Sequence, residues 1–311
     1  MRSHRAFPPG RGNLKIPTSS RWAAQAGLAL YAPCRPKGRF ARWVAWRMVD
    51  VFGTRALPGN PVEWQPPMEA EVWRALTSEW SESVGPFDEV AVHERIQVSR
   101  RGLTALLLSD GKPVGFVKVR DGDAAPLLNE FRALTSISSS EPSLFEVPQP
   151  VAMASLEGWH YLLTAALRPD LHRVPSEPPL REIAAEIRSG LKAIPRPVGT
   201  PQHWEPMHGD FTPWNLRQRR DGSCFLIDWE EAGWAPPGAD EVYYWATVRV
   251  LGKRTRDENR VRWHEAVVFW RESLLEEMAD TSMDPDRSLS EGLLSLLQRQ
   301  GGTDAPLERS D

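Results

Sequence analysis

The stretch HGDFTPWN at positions 208–215, followed by LIDW at positions 226–229, is the part of this sequence that decides the fold. It places a candidate base, Asp210, and two candidate metal ligands, Asn215 and Asp228, within a short piece of chain. In the kinase template for phosphoryl transfer, an Asp accepts the proton of the acceptor hydroxyl, and an Asn shortly after it binds Mg²⁺. A second Asp holds the metal between the phosphates. The spacing therefore indicates phosphoryl transfer from a nucleotide.

The segment between these residues has the pattern of a β-hairpin. Residues 216–218 and 224–227 read as short strands, and the Asp-Gly pair at 221–222 is a strong turn signal. A hairpin would bring Asn215, at the start of one strand, beside Asp228, at the end of the other. Two oxygen ligands would then converge, which suits Mg²⁺ bound by few protein groups and phosphate. A lone His-Gly-Asp would be explained better by a core histidine and a turn, but the complete set favours a functional site.

The run HGDFTPWNL…FLIDWEEAGWAPPGADEVYYWA resembles the aminoglycoside phosphotransferase and choline kinase family, the small-molecule branch of the protein-kinase-like fold. The match is close over about residues 200–250 and looser elsewhere. The resemblance implies a bilobal α+β fold with a small antiparallel-sheet N-lobe and a mainly helical C-lobe. It also implies phosphorylation of a small-molecule hydroxyl with ATP or GTP and Mg²⁺. By motif match, Asp210 would be the catalytic base, and Asn215 and Asp228 would be the metal ligands.

Two departures from the protein-kinase pattern favour the small-molecule branch. Gly209 stands between His208 and Asp210, where many protein kinases have the Arg that reads a phosphorylated activation loop. The short distance between Asp228 and Asp240 leaves no room for an activation segment. Asp240 matches an acidic residue of the family that opens a helix, although an N-cap Asp would have a sufficient structural reason of its own.

A nucleotide-binding lobe upstream should contain a Lys on a strand and a Glu on the next helix. Residues 88–120 form a strand-rich run, and Lys118 lies within its last apolar strand, where an unpaired ammonium would be costly to bury. Glu130, in the helical pattern of residues 126–134, is the predicted partner. Alternatively, Lys118 reaches solvent from a sheet edge and Glu130 lies on an exposed helix face. The order along the chain favours an ion pair that holds Lys118 for the phosphates.

Two further segments are candidates for contacts with the nucleotide. Backbone N–H groups from Ser99 to Gly102, between the first two strands of this run, would cover the phosphates, although an ordinary charged turn explains this segment equally well. The apolar strand that ends near Thr164 matches a hinge, where backbone groups from Thr164 to Ala166 would meet the adenine edge. A core strand followed by a loop would have the same sequence pattern.

Composition limits the class of protein. The 311 residues are enough for two lobes and a sizeable core. No apolar run approaches the roughly 18 residues needed to span a bilayer, and no signal peptide is evident, so a cytoplasmic location is expected. Cys34 and Cys224 are too few for a disulfide framework and lack metal-ligand spacing.

The N-terminal part of the chain is strongly basic. Residues 1–60 hold eleven Lys or Arg against one acid, and the pattern of residues 38–53 predicts an amphipathic helix. Such a helix can lie on a membrane surface, but packing against the kinase body or a subunit is favoured. No nucleic-acid partner is expected. We therefore predict a basic extension over 1–60, a nucleotide-binding N-lobe over 61–164, and a helical C-lobe with catalytic loop and acceptor site over 165–311.

The predicted function is a small-molecule O-phosphotransferase that uses ATP or GTP and Mg²⁺. The acceptor would be an aminoglycoside-, choline- or sugar-like hydroxyl compound, and acidic residues between 265 and 280 would suit a cationic one. The alternative is a kinase-like module that binds a nucleotide or a partner without transferring phosphate. Oligomeric state is left open.

Overall fold

A computed structural model describes residues 3–33, 36–94, 102–168, 171–252, 263–280 and 287–301. Within these residues an antiparallel sheet of eight strands occupies the N-terminal half of the chain. Its strands are, in chain order, His4–Phe7 (β1), Leu14–Pro17 (β2), Asn60–Val62 (β3), Glu89–Glu94 (β4), Gly102–Ser109 (β5), Lys112–Asp121 (β6), Pro150–Leu156 (β7) and Trp159–Ala165 (β8). Their order across the sheet is β3-β1-β2-β4-β5-β6-β8-β7.

Eight α-helices, a short 3-10 helix at Thr54–Ala56 and four short strands complete the regular structure of the described residues. The helices are Arg21–Ala29 (α1), Pro36–Phe52 (α2), Ala70–Val84 (α3), Ala125–Ser139 (α4), Leu180–Gly190 (α5), Ala239–Val250 (α6), His264–Asp280 (α7) and Arg287–Gly301 (α8). Four short strands form two pairs: Glu205–Met207 (β9) with Gly233–Ala235 (β12), and Leu216–Gln218 (β10) with Cys224–Leu226 (β11). The predicted α+β class, with an antiparallel-sheet N-lobe and a mainly helical C-lobe, is confirmed.

The sheet is wider than the sequence suggested, because the basic N-terminal segment contributes β1, β2 and β3. Strand β2 pairs with β4, so this segment continues the sheet beyond the predicted nucleotide-binding strands. The predicted amphipathic helix is present as α2, which packs with α1 through a core that includes Leu28, Ala45 and Val49. Helix α1 lies close to the sheet because Gly27 has no Cβ; one placed there would be 3.0 Å from Ile16 Cγ2.

The predicted boundaries at residues 60 and 164 fall at the first residue of β3 and near the end of β8. The division of the chain into functional units stays a prediction. No helix within the described residues is long and apolar enough to cross a membrane.

A continuous apolar core joins the sheet to the helical part and positions the motif. Phe211, Leu216, Leu226 and Trp229 are buried in a cluster with residues of α4 and α5. Each is less than 1% exposed, so the segments that carry Asp210, Asn215 and Asp228 are anchored by apolar neighbours on both sides. A fully buried large side chain contributes on the order of 1.5–3 kcal/mol, which fixes the backbone between these anchors.

Candidate active site

The predicted hairpin is confirmed and explains why Asn215 and Asp228 lie together. Strands β10 and β11 are antiparallel, with Leu216 opposite Leu226. One step beyond this pair, the Ile227 N–H donates to the Asn215 carbonyl oxygen at 3.2 Å. Asp228 is therefore the residue that follows the last hydrogen-bonded pair. The register places the two predicted metal ligands side by side at the open end of the hairpin.

Asn215 contacts the predicted base directly. Its Nδ2 donates to the Asp210 carboxylate at 2.8 Å and to the Asp210 carbonyl oxygen at 2.9 Å. The amide oxygen is then the side-chain atom that can ligate a cation. Burial and the negative charge of Asp228 raise the pKa of Asp210 well above its usual value, and the hydrogen bond from Asn215 opposes them.

Lys118 connects the sheet to the hairpin. Its Nζ lies 2.8 and 2.6 Å from the two carboxylate oxygens of Glu130 and 2.5 Å from Asp228 Oδ1. The predicted ion pair with Glu130 is thereby confirmed, and the contact with Asp228 adds a link that the sequence did not indicate. Burial would lower the pKa of Lys118, but the carboxylates of Asp228 and Glu130 raise it above its ordinary value. Burial raises the pKa of Glu130, which Lys118 opposes.

Arg120 lies on the same face of the sheet as Lys118. Val117 and Val119 join the apolar core on one face of β6. Lys118 and Arg120 therefore lie on the other face, because successive side chains of a strand alternate. Arg120 forms a buried ion pair with Glu230. Sequence reasoning missed this pair, although the alternation of Lys118 and Arg120 in β6 was a usable signal.

Helix α4 holds the chain just after Asp228. Asn129 Nδ2 donates to the carbonyl oxygens of Glu230 and Ala232 at 2.9 and 2.8 Å. Asn129 and Glu130 are consecutive in α4, so one turn of helix contacts both Lys118 and the segment that carries Asp228. Asn129 was not among the predicted site residues, because a backbone contact of a side chain has no signature in a single sequence.

His208 has a structural role in the segment that carries Asp210. Its Nε2 donates to the Ile227 carbonyl oxygen at 3.1 Å, and its Nδ1 accepts the Asp210 N–H at 3.2 Å. This arrangement needs the neutral ring, which agrees with burial lowering the pKa of His208 to about 4. The histidine thus fixes the backbone of Asp210 relative to the end of β11.

Asp240 has a larger role than the N-cap that the sequence suggested. The N-cap of α6 is Gly238, and Asp240 lies inside the first turn. Its two carboxylate oxygens accept the backbone N–H groups of His208 and Gly209 at 2.9 and 3.2 Å. Burial raises the pKa of Asp240 to about 7 despite these two bonds. The Asp240 carboxylate therefore attaches the segment that carries His208 and Gly209 to α6.

Gly209 stands at the position where many protein kinases have Arg, and the backbone explains the glycine. Its φ is 85°, which is in the left-handed region. A Cβ at this position would lie 1.9 Å from the Glu231 carbonyl oxygen. Any side chain would therefore displace the segment that follows Asp228.

The structure places the other predicted nucleotide contacts unevenly. Ser99 lies outside the described residues. Gly102 is the first residue of β5, and a Cβ there would be 2.3 Å from the Val119 carbonyl oxygen, so its glycine is explained by sheet packing. Thr164 is buried in β8 and its hydroxyl donates to the Phe116 carbonyl oxygen at 3.3 Å. Ala166 follows the end of β8. Contacts of these residues with a nucleotide stay predictions.

Three carboxylates near Lys118 have the proximity of a cation site. Glu130, Asp228 and Glu230 offer oxygen atoms within 4.8 Å of one another. The Glu130 and Glu230 side chains are 4% and 7% exposed and face Lys118 and Arg120, whereas the Asp228 side chain is 31% exposed. Asp228 is therefore the carboxylate of this group that an incoming metal can reach. Its hard oxygens and the amide oxygen of neighbouring Asn215 fit a Mg²⁺ site completed by phosphate.

The chain was compared with known proteins. No curated protein sequence matches the chain. A thermostable mutant of the aminoglycoside phosphotransferase APH(4)-Ia, solved with ADP and hygromycin B, has a TM-score of 0.48 at 12% identity, over 73% of this chain and 99% of that chain. APH(2")-IIia, solved with GDP and kanamycin, has a TM-score of 0.49 at 11% identity, over 74% and 99%.

A putative fructosamine-3-kinase from Haemophilus somnus has a TM-score of 0.47 at 12% identity, over 73% of this chain and 97% of that chain. At the level of sequence families, residues 165–278 match the phosphotransferase enzyme family (APH). This match contains the whole stretch from His208 to Trp229, and it confirms the family resemblance recognised in the motif.

Proposed function

We propose that this protein transfers the γ-phosphoryl group of ATP or GTP to a hydroxyl group of a small molecule. The observation that carries the proposal is the convergence of Asp210, Asn215 and Asp228 with the Lys118–Glu130 ion pair. A base, two oxygen ligands and a fixed cation are the parts that phosphoryl transfer needs in one place. The phosphotransferase family match supports the same reaction class.

Lys118 is the proposed phosphate-binding cation. An ammonium has three N–H donors, and the three contacts with Glu130 and Asp228 can use all of them. A bound phosphate would replace the contact with Asp228, while Glu130 would keep Lys118 in position. Asp228 would then join Asn215 in holding Mg²⁺, which supplies charge neutralisation for the phosphates when bound.

Asp210 is the proposed base. The acceptor hydroxyl oxygen forms a bond to the γ-phosphorus, the bond from that phosphorus to the β–γ bridging oxygen breaks, and the hydroxyl proton passes to the Asp210 carboxylate. Asn215 orients that carboxylate by its hydrogen bond at 2.8 Å. The raised pKa of Asp210 makes it a better proton acceptor than an ordinary Asp. Catalysis would rest mainly on positioning and electrostatics.

The acceptor is proposed only by class: an aminoglycoside-, choline- or sugar-like hydroxyl compound. The acidic helix α7 would suit a cationic acceptor, and two of its carboxylates, Glu272 and Glu276, are exposed. A third, Glu265, already binds His203 and Trp204 through its side chain. Cationic and neutral acceptors therefore both belong in the first screen.

The test begins with nucleotide binding. Melting temperatures of the full chain would be measured with ATP and with GTP, each with and without Mg²⁺. We expect a nucleotide to raise the melting temperature, and Mg²⁺ to increase the effect, because ligands that bind only the folded state stabilise it. Absence of any nucleotide effect would contradict the proposal.

Phosphoryl transfer would then be measured on an acceptor panel by mass spectrometry. The panel would include hygromycin B, kanamycin, choline, fructosamines and simple sugars, and a product would be heavier by one phosphoryl group. Nucleotide binding without transfer to any member would favour the alternative, a kinase-like binding module.

A further inference from the structure

A cavity lies away from the proposed transfer site, which is formed by Lys118, Asp210, Asn215 and Asp228. Its volume is about 550 Å³, and it is bounded by α2, by residues 171–173 and by the tip of the β10–β11 hairpin. No acidic side chain is among its described lining residues. Five arginines line it: Arg39, Arg42, Arg173, Arg219 and Arg220.

The deepest of these arginines are fixed by the protein. Arg42 donates to the carbonyl oxygens of Tyr31 and His172, so it ties α2 to the wall of the cavity. Arg219 is 2% exposed and contacts Glu146 at 2.8 Å, which is outside the lining. The Nε atom of Arg219 is buried and has no hydrogen-bond partner in the described chain. An unused buried donor therefore belongs to a residue that lines the cavity.

The outer arginines are more accessible. Arg220 is exposed and Arg39 is partly exposed, and neither forms an ion pair with a described residue. With five arginines and no acidic side chain among its described lining residues, the cavity has an excess of positive charge. Guanidinium groups bind phosphate oxygens in a forked geometry, so the chemistry favours a phosphate-bearing ligand.

Two aromatic rings adjoin the arginines. Phe40 and Trp43 are stacked, with centroids 5.9 Å apart and planes 28° apart. Their residues are 66% and 48% exposed, which is unusual for large apolar side chains that are neighbours on one helix. Both line the cavity. An exposed ring pair beside arginines offers a planar ligand a surface to stack on.

His172 adds an acceptor to this wall. Its Nε2 donates to the Ala29 carbonyl oxygen at 3.1 Å, and its Nδ1 is buried without a hydrogen-bond partner in the described chain. Burial and the charges of Arg217 and Arg42 lower the pKa of His172 to about 3, so the ring is neutral and Nδ1 is an acceptor.

The cavity and the proposed transfer site lie at opposite ends of the β10–β11 hairpin. Gln218, which lines it, is at the end of β10 remote from Asn215, and three strand residues span roughly 10 Å. Helix α2, which supplies both rings, lies outside the family match over residues 165–278. Nothing in the transfer reaction uses these groups.

We propose that this cavity is a second binding site, and that its ligand is a free mononucleotide or a phosphorylated ring compound of similar size. The arginines hold the phosphate, and Phe40 and Trp43 contact the ring. A volume of about 550 Å³ is within the usual range of small-molecule sites. Binding at this cavity does not require phosphoryl transfer. The same ligand would bind here if the protein bound nucleotides without transferring phosphate.

The test is a stoichiometry measurement on the full chain by equilibrium dialysis with labelled AMP. We expect two AMP sites in the natural sequence and one in the double variant Arg39→Ala, Arg220→Ala, with at least a tenfold loss of affinity at the second site. Both side chains reach solvent, so the fold should be retained. Binding of MgATP, measured separately, should change less than twofold. The control variant Arg74→Ala, Arg181→Ala removes the same charge from exposed positions of α3 and α5.

The outcomes separate the possibilities. Unchanged AMP stoichiometry in the double variant, or an equal loss in the control, would overturn the proposal. Trp43→Ala should weaken AMP at the second site about fivefold or more, because base stacking contributes about 1–3 kcal/mol. Equal affinity for pyrophosphate and AMP would overturn the ring contact. If a 5′-phosphorylated tetranucleotide binds more than tenfold tighter than AMP, the ligand is a nucleic acid and the proposal of a free mononucleotide is overturned.

Discussion

The proposed transfer site and the basic cavity both contain several cations, but they differ in how the charges of those cations are balanced. Lys118 lies between the carboxylates of Glu130 and Asp228, and nearby Arg120 faces Glu230. Among the arginines that line the cavity, Arg219 pairs with Glu146, whereas Arg39 and Arg220 form no ion pair with a described residue. Buried charges that are paired serve as fixed parts of the fold, whereas unbalanced charge at a cavity is available to a ligand. The difference indicates which charges are costly to remove.

The largest effect is expected at the base of the transfer site. Asp210→Asn should reduce turnover about 10²–10⁴-fold, because the variant cannot accept the hydroxyl proton. Nucleotide affinity should change little, since Lys118 and Asp228 are intact. Steady-state kinetics on the best acceptor and nucleotide-dependent melting would be compared. Glu182→Gln, an exposed carboxylate of α5, is the control and should keep normal turnover. Undiminished turnover in Asp210→Asn would defeat the assignment.

Removal of a balanced cation should destabilise the fold. Lys118→Met leaves the Glu130 carboxylate, which is 3% exposed, without its cation, and should lower the unfolding free energy by about 3–5 kcal/mol. Adding Glu130→Gln should recover about 1 kcal/mol or more, because the buried charge is gone. Urea denaturation measures both.

Arg220→Met in the basic cavity is the matched control for this comparison. Arg220 is exposed, so the unfolding free energy should change by less than about 0.5 kcal/mol. The contrast between the two regions would be wrong if the double variant were no more stable than Lys118→Met. It would also be wrong if Arg220→Met lowered the unfolding free energy as much as Lys118→Met.

Two glycines allow the backbone near Asp210 to be compared with the backbone at the hairpin tip. Gly209 and Gly222 have φ of 85° and 93°, so Ala costs about 1–2 kcal/mol at either position from conformation alone. A Cβ at Gly209 would also meet the Glu231 carbonyl oxygen at 1.9 Å, whereas nothing lies within 4 Å of one at Gly222. Gly209→Ala should therefore cost at least about 2 kcal/mol more than Gly222→Ala in urea denaturation. Equal costs would mean that the segment after Asp228 moves freely.

The smallest effect concerns the pH dependence of stability at the cavity wall. His172 has a pKa near 3 in the fold and about 6.5 in the unfolded chain, so at pH 5 the unfolded chain binds more protons. Stability should then fall as pH decreases from about 7 to 5, with up to about 2 kcal/mol from this residue. His172→Gln can still donate to the Ala29 carbonyl oxygen but does not titrate. The variant should lose about 1–2 kcal/mol less than the natural sequence over this range, and an identical loss in both would contradict the prediction.

Much of the proposed transfer site could be predicted because its signals are local. The Asp-Gly turn at residues 221–222 and the strands beside it specify a hairpin, and a hairpin fixes its own register. The Lys118–Glu130 pair was accessible because a Lys in an apolar strand requires a counter-charge. The Lys118–Asp228 contact was not, because it joins residues far apart in sequence whose approach depends on how the sheet meets the hairpin.

The N-terminal segment shows the opposite case. Its helical pattern correctly predicted α2, yet nothing in the sequence indicated that β1, β2 and β3 would extend the sheet. Short strands of three or four residues carry little periodicity, and their pairing partners are chosen by long-range packing. The role of Asp240 was likewise hidden, because its carboxylate binds backbone groups of residues distant in sequence.

The chemistry of the proposed site can be read from local sequence: the base, the oxygen ligands and the cation are residue types at spacings that one hairpin and one strand–helix unit can bring together. How these units meet became visible in the folded chain, through the contact of Lys118 with Asp228 and the pairing of Arg120 with Glu230. The tertiary structure alone assembled the basic cavity, because the arginines of α2 are more than a hundred residues from those at 173, 219 and 220. Local patterns follow from backbone geometry, whereas a cavity exists only where distant surfaces fail to fill the space between them.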